Sequence, residues 1–443
     1  MGTAGVSVAA KPAARQAAVS AGAYAAIVIF FFVYCARPED WTYALYGFPL
    51  AKITGALAVV GLVMALGSGK RSLPREMFYF VLLVMQLWFT VPFSPVWRGG
   101  AFWSAADFSK LLLILPVMLI TAATLRRLRG LIFVQAASAA LVALFSILQH
   151  SSDTSGRMHG AAGGSYSNPN DLATALSIAL PFCLAFALRK SPVWRKWPWI
   201  PSILIMAYAV FLTESRGGLL ALVVSAGTSI WEFGVRGGRR YLVVIAAVVA
   251  LGAGIAGGGG IKARFAGTFG EDLMSAGART AYGSALERRE MLRKSIELTL
   301  EHPLFGIGPN NFTSTTSHWR ETHNNYTQLS AEGGIPALIL FLMILWRSFV
   351  NLRETRQLAG KGSEEDLWAS ALKASLLGFM VGSFFSSVAY LFFPYFLMMY
   401  TSILRGVVSS PEGPGPEPVP EKPAPRVSRD LFRLGRASSV SGA

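Results

Sequence analysis

Charge is scarce in this sequence. Only 14% of its 443 residues are Asp, Glu, Lys or Arg, against about 25% in soluble globular chains. With 53% hydrophobic residues, that shortfall excludes an ordinary soluble enzyme. Cysteine is almost absent: Cys35 and Cys183 both sit in apolar runs, which rules out a disulfide framework and any cysteine-based metal spacing. No Gly-rich loop of nucleotide-binding form is present, and no repeat of solenoid type. Acidic residues are outnumbered 24 to 40 by basic ones, for a net charge of +16. The Lys and Arg fall in short clusters between apolar runs, which is the pattern topology demands, so nucleic acid is excluded as a partner.

Long apolar runs are what the chain has in quantity. Their lengths match a helical crossing of a hydrocarbon core of about 30 Å. The first, Ala21–Ala36, has Lys11 and Arg15 before it but no small-x-small cleavage site after it, so it is read as a span and not a removed signal. Others are expected at Leu50–Leu66, Phe78–Pro92, Ser109–Leu125, Leu131–Gln149, Leu172–Leu188, Trp199–Thr213, Gly217–Phe233, Tyr241–Gly258, Gln328–Val350, Leu367–Ala389 and Tyr390–Leu404. The fold class is therefore all-α, a polytopic membrane protein of about twelve helices. Residues 1–20 are expected to be a disordered cytoplasmic N-terminus, 21–260 spans one to nine, 261–327 an outer loop, 328–406 spans ten to twelve, and 407–443 a disordered Pro-rich cytoplasmic tail.

Orientation follows from the basic clusters. Lys70/Arg71/Arg75, Arg126/Arg127/Arg129, Arg189/Lys190/Arg195/Lys196, Arg236/Arg239/Arg240 and Arg347/Arg353/Arg356/Lys361 fall on one side by alternation. Arg37, Arg98, Arg157 and Arg216 stand sparsely on the other. With basic loops inside, the long polar segment Ala263–Glu332 lies at the outer face of the membrane. Within it, Leu286, Met291, Leu292, Ile296 and Leu300 recur at helical intervals opposite Arg and Lys, giving an amphipathic helix stopped by His302-Pro303.

Four polar clusters on that outer side call for explanation, because an ionisable group beside an apolar span is costly. Arg216, in Thr213-Glu214-Ser215-Arg216-Gly217-Gly218, is held at the membrane edge by two adjoining spans. It can pair with Glu214 and reach head groups, or it can present its planar fork to phosphate oxygens. Arg288 and Arg289 are either a solvated helix face paired with Glu287 and Glu290 or a second phosphate clamp. His323, in His323-Asn324-Asn325-Tyr326-x-Gln328, is either an interfacial histidine satisfied by backbone or a proton acceptor for a hydroxyl. Asn168 and Asp171 can cap a helix, and the amides of this stretch can also bind a sugar or diphosphate. His159, His302 and His318 lie on the same side, but without ligand spacing no metal is expected.

Taken in order, SNPNDLA, ESRGG, the Arg-rich helix ending in HPLFGIGPNNF, and HNNYTQLSAEGGIP resemble the O-antigen ligase and O-antigen polymerase superfamily, over at least Asn168–Pro336. Arg37-Pro38-Glu39-Asp40-Trp41 resembles a subset associated with exopolysaccharide export. The resemblance implies a glycosyltransferase C-type fold in the bacterial inner membrane, with the active site facing the periplasm and no metal or cofactor. It implies an undecaprenyl-diphosphate-linked glycan donor and an acceptor that is lipid A-core, another glycan or a protein hydroxyl. By the same resemblance Arg216, Arg288 and His323 are catalytic, with Arg289, Asn168, Asn324, Tyr326 and Gln328 binding substrate. Arg288 is aligned by its place four residues before Leu292, where many relatives carry Trp. A transporter for lipid-linked glycans is the alternative of another class, though the polar groups cluster near one face and no inverted repeat is evident. A non-catalytic scaffold built on the tail is a third.

Overall fold

The computed structural model describes residues 10–41, 43–45, 47–65, 73–149, 152, 157–160, 166–256, 276–316 and 320–409. His318, the Pro-rich tail beyond Ser409 and the first nine residues lie outside the described residues.

The described chain is a bundle of helices, each laid down by one of the apolar runs. In order these are α1 (Ala10–Ala36), α2 (Leu50–Ala65), α3 (Arg75–Phe93), α4 (Arg98–Ser109), α5 (Leu111–Thr121), α6 (Leu125–Leu148), α7 (Pro169–Leu188), α8 (Val193–Lys196), α9 (Trp199–Leu212), α10 (Arg216–Ser229, continuing as a π-helical stretch Ile230–Arg236), α11 (Tyr241–Ala256), α12 (Ala276–Glu301), α13 (Asn325–Ala359), α14 (Glu364–Gly382) and α15 (Phe393–Val408). Seven helical stretches are long and apolar enough to cross a membrane by length and composition, and Leu50–Met64 and Phe393–Val408 are shorter apolar helices. The protein is an all-α polytopic membrane protein. Among the described residues each expected span overlaps a helix, though fewer than the expected twelve are long and apolar enough to cross by themselves, and the amphipathic helix is longer than its apolar period, running back to Ala276.

Two interruptions were not expected. The spans read as Leu367–Ala389 and Tyr390–Leu404 are parted by ten non-helical residues between Gly382 and Phe393. Inside α13, Gly334 has a φ of 79°, and a Cβ there would sit 2.4 Å from the Leu304 carbonyl oxygen. Only glycine supplies that backbone without strain. The break lets the turn after α12 dock on α13: Ile307 N–H donates to Ala331 O at 2.9 Å, Gly308 N–H to Glu332 O at 2.9 Å and Ile335 N–H to Pro303 O at 2.8 Å. Glu332, buried, accepts from Phe312 N–H at 2.9 Å. HPLFGIGPNNF and AEGGIP are thus two halves of one backbone joint.

α7, α10 and α14 form the inner layer through small residues, the usual means of close helix approach where lipid gives no hydrophobic drive. Ser375 Oγ on α14 donates to Ile178 O at 2.7 Å, and Ser177 Oγ on α7 to Gly218 O at 3.2 Å. At Gly217 and Gly218 an added Cβ would lie 2.2 Å from Phe385 Cβ and from Ala173 Cβ respectively. The paired glycines therefore serve helix packing.

Candidate active site

Three helix N-termini meet at one end of the bundle, each capped by its own sequence. Asn168 caps α7, accepting from Asn170 N–H at 2.9 Å. Ser215 caps α10, accepting from Gly218 N–H at 3.0 Å. Asn324 caps α13, accepting from Tyr326 and Thr327 N–H at 3.0 and 3.2 Å. Helix N-termini carry partial positive charge and favour anions, while the carbonyl ends of α9 and α14 reach the same place, Thr213 O accepting from Arg157 and Ser383 O from Asn325 N–H.

The arginines add positive charge. The side-chain oxygen of Asn170, a buried residue, accepts from Arg157 Nη2 at 3.2 Å, Ser215 Oγ at 2.7 Å and Arg288 Nη2 at 3.3 Å. One neutral amide therefore gathers guanidiniums from the loop before α7 and from helix α12. Arg157 Nε is also anchored on Thr213 O at 3.1 Å. Burial, then the charges of Arg216 and Arg157, push the Arg288 guanidinium down to about 10, with Glu287 opposing. Arg216, at the first turn of α10, thus stands within electrostatic reach of Arg288.

His323 faces the same cluster. Its backbone is left-handed, φ 51°, a conformation rare outside glycine and frequent at functional sites. Ser387, in the turn between α14 and α15, holds it by accepting the His323 N–H at 2.9 Å. Its Nδ1 is buried with no hydrogen-bond partner. Burial, then Arg288 and Arg157, push the imidazole down to about 4. At neutral pH the imidazole is uncharged. A cavity of about 490 Å³ opens beside it, walled by Arg288, Arg289, His323, Asn324, Leu292 and Phe385 among others.

The structure thus brings His323, Arg288 and Arg216 to one place, with Arg289 exposed on the cavity wall. The other expected binders stand differently. Asn168 spends its oxygen on the α7 cap. Tyr326 donates its hydroxyl to Met380 O at 2.9 Å and packs its ring 4.6 Å from Phe384. Gln328 is buried one turn into α13 and has an unpartnered Oε1. Sequence reading did not single out Arg157, Asn170 or Glu321. Glu321 is pushed up by burial, against a hydrogen bond from Ser387, and lies within electrostatic reach of buried Asp171. Among the described residues, no three His, Cys, Asp or Glu side chains cluster as metal ligands.

Residues 201–342 match the family model for O-antigen ligase. That stretch holds Arg216, Arg288, Arg289 and His323, and agrees with the superfamily resemblance of the motifs. Asn168, Asn170 and Arg157 precede it. The match supports a membrane glycan transferase of O-antigen ligase or polymerase type. No curated protein matches the chain.

Proposed function

We propose that the protein is an O-antigen ligase-like transferase, moving a glycan from a polyprenyl-diphosphate carrier to an acceptor hydroxyl. The observation that carries this reading is the meeting of Arg157 and Arg288 on Asn170 beside His323, whose buried Nδ1 has no hydrogen-bond partner. The donor diphosphate lies against Arg288, Arg216 and Arg157 and the converging helix N-termini. The acceptor hydroxyl sits at His323. Its oxygen attacks the anomeric carbon, the bond from that carbon to the diphosphate oxygen breaks, and the electron pair leaves with the lipid diphosphate. The hydroxyl proton passes to the imidazole. Cations fixed before the reaction stabilise the charge growing on the leaving oxygen, and the cavity walls hold donor and acceptor in line.

Diphosphate binding also readies the base. Burial, with Arg288 and Arg157 adding to it, holds His323 down at about 4; the diphosphate's negative charge offsets the arginine part, so the imidazole becomes more basic when donor is present. The bacterial inner membrane, with the site on the periplasmic side, is the setting this chemistry fits, since basic loops gather at the opposite end.

The test uses purified full-length chain in proteoliposomes with a polyprenyl-diphosphate-linked oligosaccharide and a hydroxyl acceptor. Release of lipid diphosphate should depend on acceptor and yield a glycosylated product. Carrier crossing the bilayer with no new covalent product would replace this reading with a transporter.

A further inference from the structure

The end of the bundle remote from His323 carries a second built cavity, of about 760 Å³. Its place follows from the helices: Asn170 opens α7 and Arg189 follows its last residue, a separation of about 28 Å at 1.5 Å per residue. Likewise Thr213 follows α9, whereas Trp199 begins it and lines this cavity. The cavity is a groove between α6 and α9. Phe133, Ala137, Ala140, Leu141 and Leu144 line it along one face of α6. From Phe133 to Leu144 that apolar face runs about 16 Å, close to the ~15 Å of one leaflet's hydrocarbon.

The mouth is cationic. Arg126, Arg129, Arg189 and Arg195 line it, and no carboxylate is among its lining residues. Glu364 behind the wall ties two of them, at 2.9 Å from Arg129 Nη1 and 2.7 Å from Arg189 Nε. One carboxylate shared by two guanidiniums leaves their joint charge positive. Arg195 lies 4.7 Å over the ring of Trp194, whose indole is 68% exposed at the rim. An apolar slot of leaflet depth, an arginine mouth and an interfacial tryptophan together match one chemistry. We infer that this groove binds an anionic phospholipid of the bilayer, its phosphate at Arg126 and Arg195 and one acyl chain between α6 and α9.

The experiment uses the full-length chain, purified in a zwitterionic detergent and titrated with phosphatidylglycerol or phosphatidylcholine under native mass spectrometry. Phosphatidylglycerol should be retained on the order of tenfold more tightly. The double variant R126Q/R195Q, which spares the Glu364 tie, should lose that preference, and Ala140→Trp should expel the lipid by filling the slot. Circular dichroism and the unfolding midpoint without added lipid report whether each variant is folded. Equal retention of both lipids, or an unchanged preference in folded R126Q/R195Q, would overturn the assignment. So would displacement by inorganic phosphate alone, or retention of a polyprenyl phosphate with no retention of phosphatidylglycerol. Failure here leaves the proposed transfer reaction untouched, since none of these residues belongs to it.

Discussion

Arginine is used in opposite ways at the two ends of the bundle. At the end remote from His323, Arg356 meets Glu232 at 2.9 Å and Asp366 at 3.4 Å, while Arg236 and Lys373 reach the same Glu232 at 2.9 and 2.8 Å. Arg347 and Asn351 similarly share buried Glu76 at 3.2 and 2.8 Å. Carboxylates there are buried and met by cations, and the contacts staple α3, α10, α13 and α14 together. At the other end Arg288 leans on the amide of Asn170, with Arg157 on the same oxygen and Arg216 in electrostatic reach. A structural arginine is given its counter-charge by the fold. Arg288 spends its hydrogen bond on a neutral amide and feels the like charges of Arg216 and Arg157 more than the opposing charge of Glu287, the surroundings a ligand anion would relieve.

That contrast can be broken by mutation. The largest effects should come from the cavity. His323→Ala removes the base and should lower turnover by about 10²–10⁴, and Arg288→Ala should cost about 10²–10³. Both are read as product formed per folded protein in proteoliposomes. Neither should lower the unfolding midpoint, and Arg288→Ala should raise it slightly by relieving like-charge crowding. At the opposite end the ranking reverses. Glu232→Gln leaves several cations around a neutral side chain and should destabilise by about 3–5 kcal/mol, with folded molecules still active.

Acid provides a third handle. His323 sits near 4 in the fold, below its ordinary value of about 6.5. The unfolded state therefore binds the extra proton between these values. The stabilising contribution is present above about 6.5 and is lost as pH falls towards 4. In His323→Gln that slope of stability with pH should flatten. The acid limb of kcat/KM, which reports the free enzyme, should lie near 4, and that of kcat should lie higher because bound diphosphate cancels the arginine field. The smallest effect is expected at exposed Arg289, where Arg289→Gln should raise the donor KM a few-fold and leave kcat unchanged.

Much of this architecture was legible in the sequence because lipid imposes length and charge rules that survive without an alignment. Among the described residues the apolar runs fall on helices, and Arg129, Arg189, Arg236 and Arg356 of the basic clusters stand at the end remote from His323. What hydropathy hid was backbone detail inside apolar stretches. The turn after Gly382 is written in Ser, Phe and Val, so it reads as membrane although it carries Ser387, which holds His323. The break at Gly334 lies inside an apolar run that hydropathy reads as one span, with Gly333-Gly334 and Pro336 its only written sign. Arg216 and His323 stood out as ionisable groups at apolar edges, and Arg288 by its register before Leu292 on the amphipathic helix. Asn170 did not, since Asn168-Pro169-Asn170-Asp171 offers two amides and only the geometry of the α7 cap decides which one is left to gather arginines. Arg157 sits in an aperiodic polar loop, where pattern carries no information about contact.

The proposed transfer seats the donor diphosphate at Asn170, where Arg288 and Arg157 converge. Asn170→Asp supplies an anion from the protein itself and turns this end into a copy of the other. The direct measurement is the affinity of purified wild-type and Asn170→Asp protein for polyprenyl diphosphate. The variant should be more stable and should bind the diphosphate at least about tenfold more weakly, the equivalent of about 1.4 kcal/mol. Equal affinity in a folded variant would contradict a diphosphate seated among these arginines.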